Sequence, residues 1–246
     1  MNLQNNTILI TGGNDGIGKS LAIQLSKLNK VLVCGRNKQT LDLLKKEYPE
    51  IETYQCDLTK ESNLTHLAKT ISKTYPNLNI LINNAGIIKS SNFNDKNFIE
   101  EMDIEFQTNF YAPVKLTHLL LPLLQKQKSS AIVNIGSLLS YAPVESKLGY
   151  CASKAALHSF TKALRFQLEN TNIKVLEVFP PAVNTKMASE LSESSKWRIL
   201  QPDIVAKQII KGMKSDKKEI RIGLTKIFYY AYRFFPSLVD IKLKRS

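Results

Sequence analysis

The chain has 246 residues, 43% of them hydrophobic and 22% charged, with a formal net charge of +13 at neutral pH. These are the proportions of a soluble globular protein, and the length suits one α/β domain with a sizeable buried core. A membrane span and secretion are not expected, because no apolar run approaches ~20 residues and no apolar leader follows Met1-Asn2-Leu3-Gln4, so the expected location is cytoplasmic. The three cysteines, Cys34, Cys56 and Cys151, are widely spaced and lack metal-ligand spacing. They are expected as free thiols in a reducing cytosol, with no metal site.

The first strand is expected near 7–11 and runs into Gly12-Gly13-Asn14-Asp15-Gly16-Ile17-Gly18. A helix near 17–28 follows, with Ile17, Leu21, Leu25 and Leu28 at helical spacing. Four of the ten glycines in the chain fall between 12 and 18. Such a concentration lets backbone approach a pyrophosphate closely, at a helix N-terminus that offers free N–H groups and a positive dipole end. The spacing Gly12-x-x-x-Gly16-x-Gly18 is one residue longer at the first turn than Gly-x-Gly-x-x-Gly. A strand near 30–34 ends at Gly35-Arg36-Asn37, where dinucleotide folds place the adenosine ribose. An acid there would bind the 2′-hydroxyl of NAD. Arg36 instead suits a 2′-phosphate by charge and fork geometry, which favours NADP(H) over NAD(H). Asp15 sets a negative charge near the phosphate region and works against that preference.

Further strands are expected near 51–55, 79–83, 131–135, 173–178 and 219–222, and helices near 38–47, 61–74, 98–126, 150–170 and 203–213. This alternation predicts a mostly parallel, doubly wound sheet of seven strands with helices on both faces. No Gly/Ser-rich linker or repeat divides residues 1–246. Ligands of such sheets bind beyond the carboxyl ends of the strands. Gly12 to Gly18, Gly86, Ser137 and Pro180 all follow expected strand ends and therefore converge on one crevice.

Ser137 lies in Asn134-Ile135-Gly136-Ser137, and Tyr150 and Lys154 lie in Gly149-Tyr150-Cys151-Ala152-Ser153-Lys154. On a helix, Tyr150 and Lys154 sit one turn apart on one face. An ammonium there favours the phenolate and is expected to lower its pKa from about 10. Ser137 can hold the substrate oxygen that the tyrosine protonates or deprotonates. Taken alone, Tyr-x-x-x-Lys also describes an exposed helical face with a half-buried tyrosine.

Together, Thr11-Gly12-x-x-x-Gly16-x-Gly18, Asn83-Asn84-Ala85-Gly86, Asn109, Ser137 and Tyr150-x-x-x-Lys154 resemble the short-chain dehydrogenase/reductase family over nearly the whole chain. Within that family, Ile10-Thr11-Gly12-Gly13, Cys34-Gly35-Arg36-Asn37, the run from Tyr75 to Gly86, and Pro180-Pro181-Ala182-Val183 resemble the bacterial DltE-type oxidoreductases. The resemblance implies a single-domain Rossmann fold and assigns roles. Tyr150 would be the general acid/base, and Lys154 would hold the nicotinamide ribose. Ser137 would orient the substrate, and Asn109 would hold a water linking Lys154 to solvent. Asp57 would hydrogen-bond the adenine, with Asn83, Ala85 and Gly86 lining the adenosine side as backbone. Val183 and Thr185 would meet the nicotinamide carboxamide, and Thr11, Asn14, Ile17, Asn37, Leu58, Ile135 and Pro180 would complete the cofactor site. The family usually shows Pro-Gly where this chain has Pro180-Pro181, and Pro181 stiffens that loop.

The expected function is NADP(H)-dependent hydride transfer to or from a carbonyl or alcohol. Two alternatives stay open: a non-catalytic dinucleotide sensor or scaffold on the same fold, and a membrane-associated reductase of lipid-like carbonyls. Residues 186–201 are the expected substrate lid. Leu138, Leu139, Tyr141, Pro143, Met187 and Trp197 would either line an apolar substrate pocket or pack the loops. The helical faces that carry Phe106, Phe110, Val114, Leu119 and Leu120 suggest, by family likeness, a homodimer or homotetramer. Nucleic acid is not an expected partner, because 28 of the 34 basic residues are lysine and no nucleic-acid-binding signature appears. Residues 207–246 hold 11 basic and 3 acidic residues. The basic, aromatic segment 224–246 would either pack on the domain or a subunit neighbour, or lie on an anionic membrane surface.

Overall fold

The computed structural model describes residues 1–89, 92–188 and 199–243. Seven strands, β1 (Thr7–Thr11), β2 (Lys30–Gly35), β3 (Glu52–Gln55), β4 (Leu78–Asn83), β5 (Ser130–Ile135), β6 (Ile173–Phe179) and β7 (Glu219–Arg221), form one sheet. Their order is β3-β2-β1-β4-β5-β6-β7, and every adjacent pair is parallel. The order reverses between β1 and β4, which opens a crevice at their carboxyl ends. Strands β1 and β5 are buried throughout, because helices cover both faces of the sheet.

Side-chain alternation sends Ile8, Ile10, Val31, Val33, Ile80 and Ile82 to one face, under α1 (Gly16–Ser26), α2 (Lys38–Glu47) and α7 (Pro202–Lys214). Leu9, Leu32, Leu81 and Ile132 point to the other face, under α3 (Glu61–Thr74), α5 (Ala112–Gln125) and α6 (Leu148–Gln167). Helix α1 stops short of the expected residue 28 because Asn29 Nδ2 donates to the Leu25 carbonyl at 2.8 Å, closing its last turn. No described helix is long and apolar enough to cross a membrane.

The expected continuous helix 98–126 is broken. Helix α4 (Phe98–Phe106) leads into a π turn (Gln107–Tyr111) before α5 begins. Ala112 N–H donates to the Gln107 carbonyl, five residues back. Pro113 has no N–H to give the Asn109 carbonyl, so the α-type ladder slips by one residue here. The C-terminal segment forms α8 (Thr225–Phe234) and α9 (Pro236–Leu243). Of the lid expected at 186–201, residues 189–198, with Trp197 among them, lie outside the described residues.

Candidate active site

The crevice begins at the β1–α1 turn. Gly12 and Gly16 hold φ of +61° and +52°, a region that L side chains rarely adopt. At Gly18 a Cβ would collide with the Gly12 carbonyl and Asn84 Nδ2, so this helix can start so close to the loop only with glycine there. Asp15 is the N-cap of α1, and its carboxylate accepts from Gly16 N–H at 2.7 Å. The Asp15 charge, expected to oppose phosphate, thus serves the helix end and also faces Lys186 at 3.9 Å. Asn14 Nδ2 donates to Thr40 Oγ1 at 2.6 Å and ties the loop to α2. Thr11 Oγ1 accepts from the Asn84 and Ala85 N–H groups, both at 3.0 Å, and so locks the end of β1 to the end of β4.

Beyond β2, Arg36 is exposed and Asn37 caps α2, its Oδ1 accepting from Thr40 N–H at 3.2 Å. Arg36 and Asp57 border a groove of about 450 Å³ together with Gln55, Lys60 and His66. Partial burial pushes the Asp57 carboxyl up, but two hydrogen bonds from Thr59 and the nearby Lys60 and Arg36 hold it below its ordinary value. Leu58, Thr11, Asn83, Ala85 and Thr108 line a second, tighter pocket beside the groove. The Asn83 side chain turns into the core, donating to Asn134 Oδ1 at 2.8 Å and Thr117 Oγ1 at 3.2 Å, so only its backbone is left to face the crevice.

The central trio converges as its spacing implied. Ser137 follows β5 and accepts from Leu139 N–H at 3.1 Å, and its hydroxyl lies near enough to the Tyr150 phenol to favour its ionised form. Lys154 lies one turn on along α6, its Nζ 5.9 Å from the centre of the Tyr150 ring. That ammonium donates to the Ile135 carbonyl at 2.8 Å, which fixes its position. The expected fall in the phenol pKa does not occur in this arrangement. Burial pushes Tyr150 up to about 12, against a smaller lowering by Ser137, and pulls Lys154 down to about 8, against a smaller raising by Glu177. Both side chains are at least nine-tenths buried, and loss of hydration outweighs their neighbours.

Asn109, fully buried in the π turn, clamps the chain after β4. Its Oδ1 accepts from Ile87 N–H and its Nδ2 donates to the Ile87 carbonyl, both at 2.9 Å. Gly86 faces the trio: a Cβ there would lie 3.3 Å from Asn109 Oδ1, 3.6 Å from Lys154 Nζ and 3.8 Å from Met187 Cε. After β6, Val183 is buried and pairs with Leu200, and the Thr185 methyl lies against Gly16. Pro180 and Pro181 stay half-buried between them and the sheet. Ile17 packs beneath the loop against the core. Of the expected pocket residues, Leu138 and Leu139 are half-buried, Pro143 and Met187 are exposed, and the Tyr141 ring packs on Phe179, His158 and Tyr229.

Four further residues hold the site together, and sequence reasoning gave none of them a role. Asn84 Nδ2 donates to the Thr11 and Gly12 carbonyls at 2.9 and 3.1 Å. Ser153 receives from Asn109 Nδ2 at 3.1 Å and joins the π turn to α6. Glu105, almost wholly buried on α4, accepts from Lys89 N–H at 2.8 Å, and burial pushes its carboxyl up to about 7. Glu177 on β6 is fully buried, and His158 Nδ1 donates to it at 2.8 Å. Glu177 offered the clearest signal, an acid inside a mostly apolar strand. Among the described residues no group of three or more His, Cys, Asp or Glu is placed to hold a metal ion.

A family model described as short chain dehydrogenase matches residues 6–196. The uncharacterized oxidoreductase DltE of Bacillus subtilis (strain 168) is 42% identical over 226 residues, which are 89% of each chain. A short chain dehydrogenase from Burkholderia cenocepacia J2315, solved in complex with NADP, gives a TM-score of 0.87 at 20% identity over 99% of each chain. A short chain dehydrogenase/reductase from Burkholderia phymatum, solved in complex with NAD, gives 0.83 at 18% identity, over 100% of this chain and 98% of that one. At those identities the two structures show the shared fold, and their different dinucleotides make no choice between cofactors for this chain.

Proposed function

Because the chain belongs to the short-chain dehydrogenase family of oxidoreductases, we propose that it moves a hydride reversibly between NADP(H) and a carbonyl or alcohol, with Tyr150 as general acid/base. The observation that carries this reading is the buried Tyr150 phenol, whose pKa the nearby Ser137 hydroxyl lowers, with the Lys154 ammonium one turn away and 5.9 Å from the ring centre.

The residues present fit a dinucleotide. Gly12, Gly16 and Gly18 leave bare backbone at the N-terminus of α1, which suits a pyrophosphate. Arg36, with Lys60 across the groove, suits a 2′-phosphate, and Asp57 and Leu58 border the space beside it. Lys154, Asn109 and Gly86 meet near the other end, and Thr185 lies against Gly16. When bound, the nicotinamide supplies or accepts the hydride. The protein's share is proton movement and orientation. Ser137 holds the substrate oxygen by a hydrogen bond. Tyr150 gives its phenolic proton to that oxygen as negative charge builds on it, or takes the proton from an alcohol in the reverse direction. A phenol with a pKa raised to about 12 is protonated at neutral pH and so is ready to act as the acid in reduction. Lys154, with a pKa of about 8, still carries its proton at pH 7 and stabilises the phenolate that reduction leaves behind. Leu138, Leu139 and Met187 beside this centre support an apolar substrate.

Tyr150→Phe tests the assignment. The expected result is a loss of about 10²- to 10⁴-fold in kcat against a carbonyl panel, with the NADPH dissociation constant within a few-fold of wild type. Equal loss of turnover and of cofactor binding in a folded variant would remove Tyr150 from its role.

A further inference from the structure

Helix α8 has two unlike faces. Its inner face is fastened to the domain. Thr225 is buried, and its hydroxyl donates to the Phe179 and Ile222 carbonyls at 3.0 and 2.9 Å. Tyr229 lies against Tyr141, with ring centres 5.3 Å apart, and the Arg221 guanidinium sits 3.6 Å over its ring. These contacts seat α8 beside the short turn that follows Ser137.

The outer face is apolar and bare. Ile227, Tyr230 and Phe234 fall at helical spacing and are 65%, 50% and 67% exposed. Phe235, just past α8, and Leu238 in α9 are exposed too, at 61% and 68%. Large apolar side chains clustered in this way mark an interaction surface, since monomeric soluble proteins rarely leave such patches uncovered. The strip is flanked by exposed Lys226 and Arg233, and residues 224–246 hold five basic residues against the single acid Asp240.

That charge selects the occupant. In a two-fold contact between copies, each face would set its own Lys226 and Arg233 against the same charges of the other, with one acid per chain to offset them. An anionic lipid surface complements both features: headgroups meet the basic flank while the isoleucine, tyrosine and phenylalanine side chains enter the headgroup–acyl boundary. We propose that the outer face of α8 and α9 docks this protein on anionic membrane surfaces as a peripheral, non-spanning contact.

Cosedimentation of the full-length chain with phosphatidylglycerol/phosphatidylcholine vesicles tests this without using catalysis. The wild type should pellet with these vesicles, stay in the supernatant with pure phosphatidylcholine, and be released by salt. Ile227→Ser with Phe234→Ser should cut the bound-to-free ratio by at least about tenfold. Circular dichroism and oligomeric mass should stay unchanged, because both side chains point to solvent. Lys226→Glu with Arg233→Glu should abolish the preference for anionic lipid. A wild type that ignores phosphatidylglycerol, equal binding to both vesicle types, or full binding by the serine variant would each overturn the proposal. So would a change of oligomeric mass in the serine variant, which would assign the face to a second copy.

Discussion

Tyr150 and Lys154 show how far a pair of residue types predicts its own chemistry. Their spacing on α6 brings them together, but burial raises the phenol and lowers the ammonium, so each leans toward its neutral form. The positive charge that acts on the phenol is therefore set by the depth of the pocket as much as by the neighbour in sequence. Arg36 is the opposite case, an exposed side chain whose value lies in what it meets. It stands at the end of β2 with Lys60 across the groove, where a 2′-phosphate would gain charge-assisted hydrogen bonds and a 2′-hydroxyl would gain little. Arg36→Leu should weaken NADPH binding by about tenfold to a hundredfold and leave NADH within about threefold, as one or two such bonds imply. Titration of both reduced cofactors by fluorescence measures this, and a parallel loss for the two would show that Arg36 does not read the phosphate.

At the scale of elements, the site is a junction of loops tied by buried polar groups, and Glu105 is the tie with the clearest pH dependence. It joins α4 to the Lys89 backbone and packs so tightly on Gly149 that no Cβ fits there. Its folded pKa is about 7 against an ordinary 4.5, so between those values the folded chain holds a proton that the unfolded chain has lost. The contribution is whole below the unfolded pKa and is lost as pH rises through about 7, on the order of 2–3 kcal/mol. Glu177 and His158 are also raised and tilt stability the same way, so the difference from Glu105→Gln isolates Glu105. Urea midpoints taken across this range should fall for wild type and fall less for the variant; parallel curves would refute the shift. The sequence carried the strands, the glycine loop and the Ser137, Tyr150 and Lys154 cluster, because each depends on local periodicity or on residues following a strand end. It did not carry the π turn, whose cause lies in Pro113 and in a clamp from Asn109 to Ile87. Nor did it carry the pairing of Glu177 with His158, which only the packing of β6 against α6 brings about.

The whole molecule has a second exposed apolar region, of different character from the basic strip on α8 and α9. Ile104 on α4, Tyr111 in the π turn and Leu119 on α5 are exposed, and α6, packed against α4 and the π turn, exposes Phe166. Here the charges are mixed: exposed Glu100 and Asp103 belong to α4 and exposed Lys162 to α6, whereas Glu101 faces Lys89 and Arg165 is tied to the Val175 and Lys218 carbonyls. A two-fold contact can set the acids of one copy against Lys162 of the other, a pairing for which the strip on α8 and α9 offers only its single acid. Burial of these side chains would also offset the self-repulsion of chains that each carry +13. The expected assembly is therefore a homodimer, or a homotetramer built from it, joined through α4, α5 and α6. Light scattering should give a mass of at least twice the 27.8 kDa of one chain. Leu119→Glu with Phe166→Glu should return the protein to a single chain and leave vesicle binding through α8 in place. A wild-type mass of one chain, or a variant that still assembles, would reject this interface, and a variant that lost both properties would show that the two surfaces are not independent.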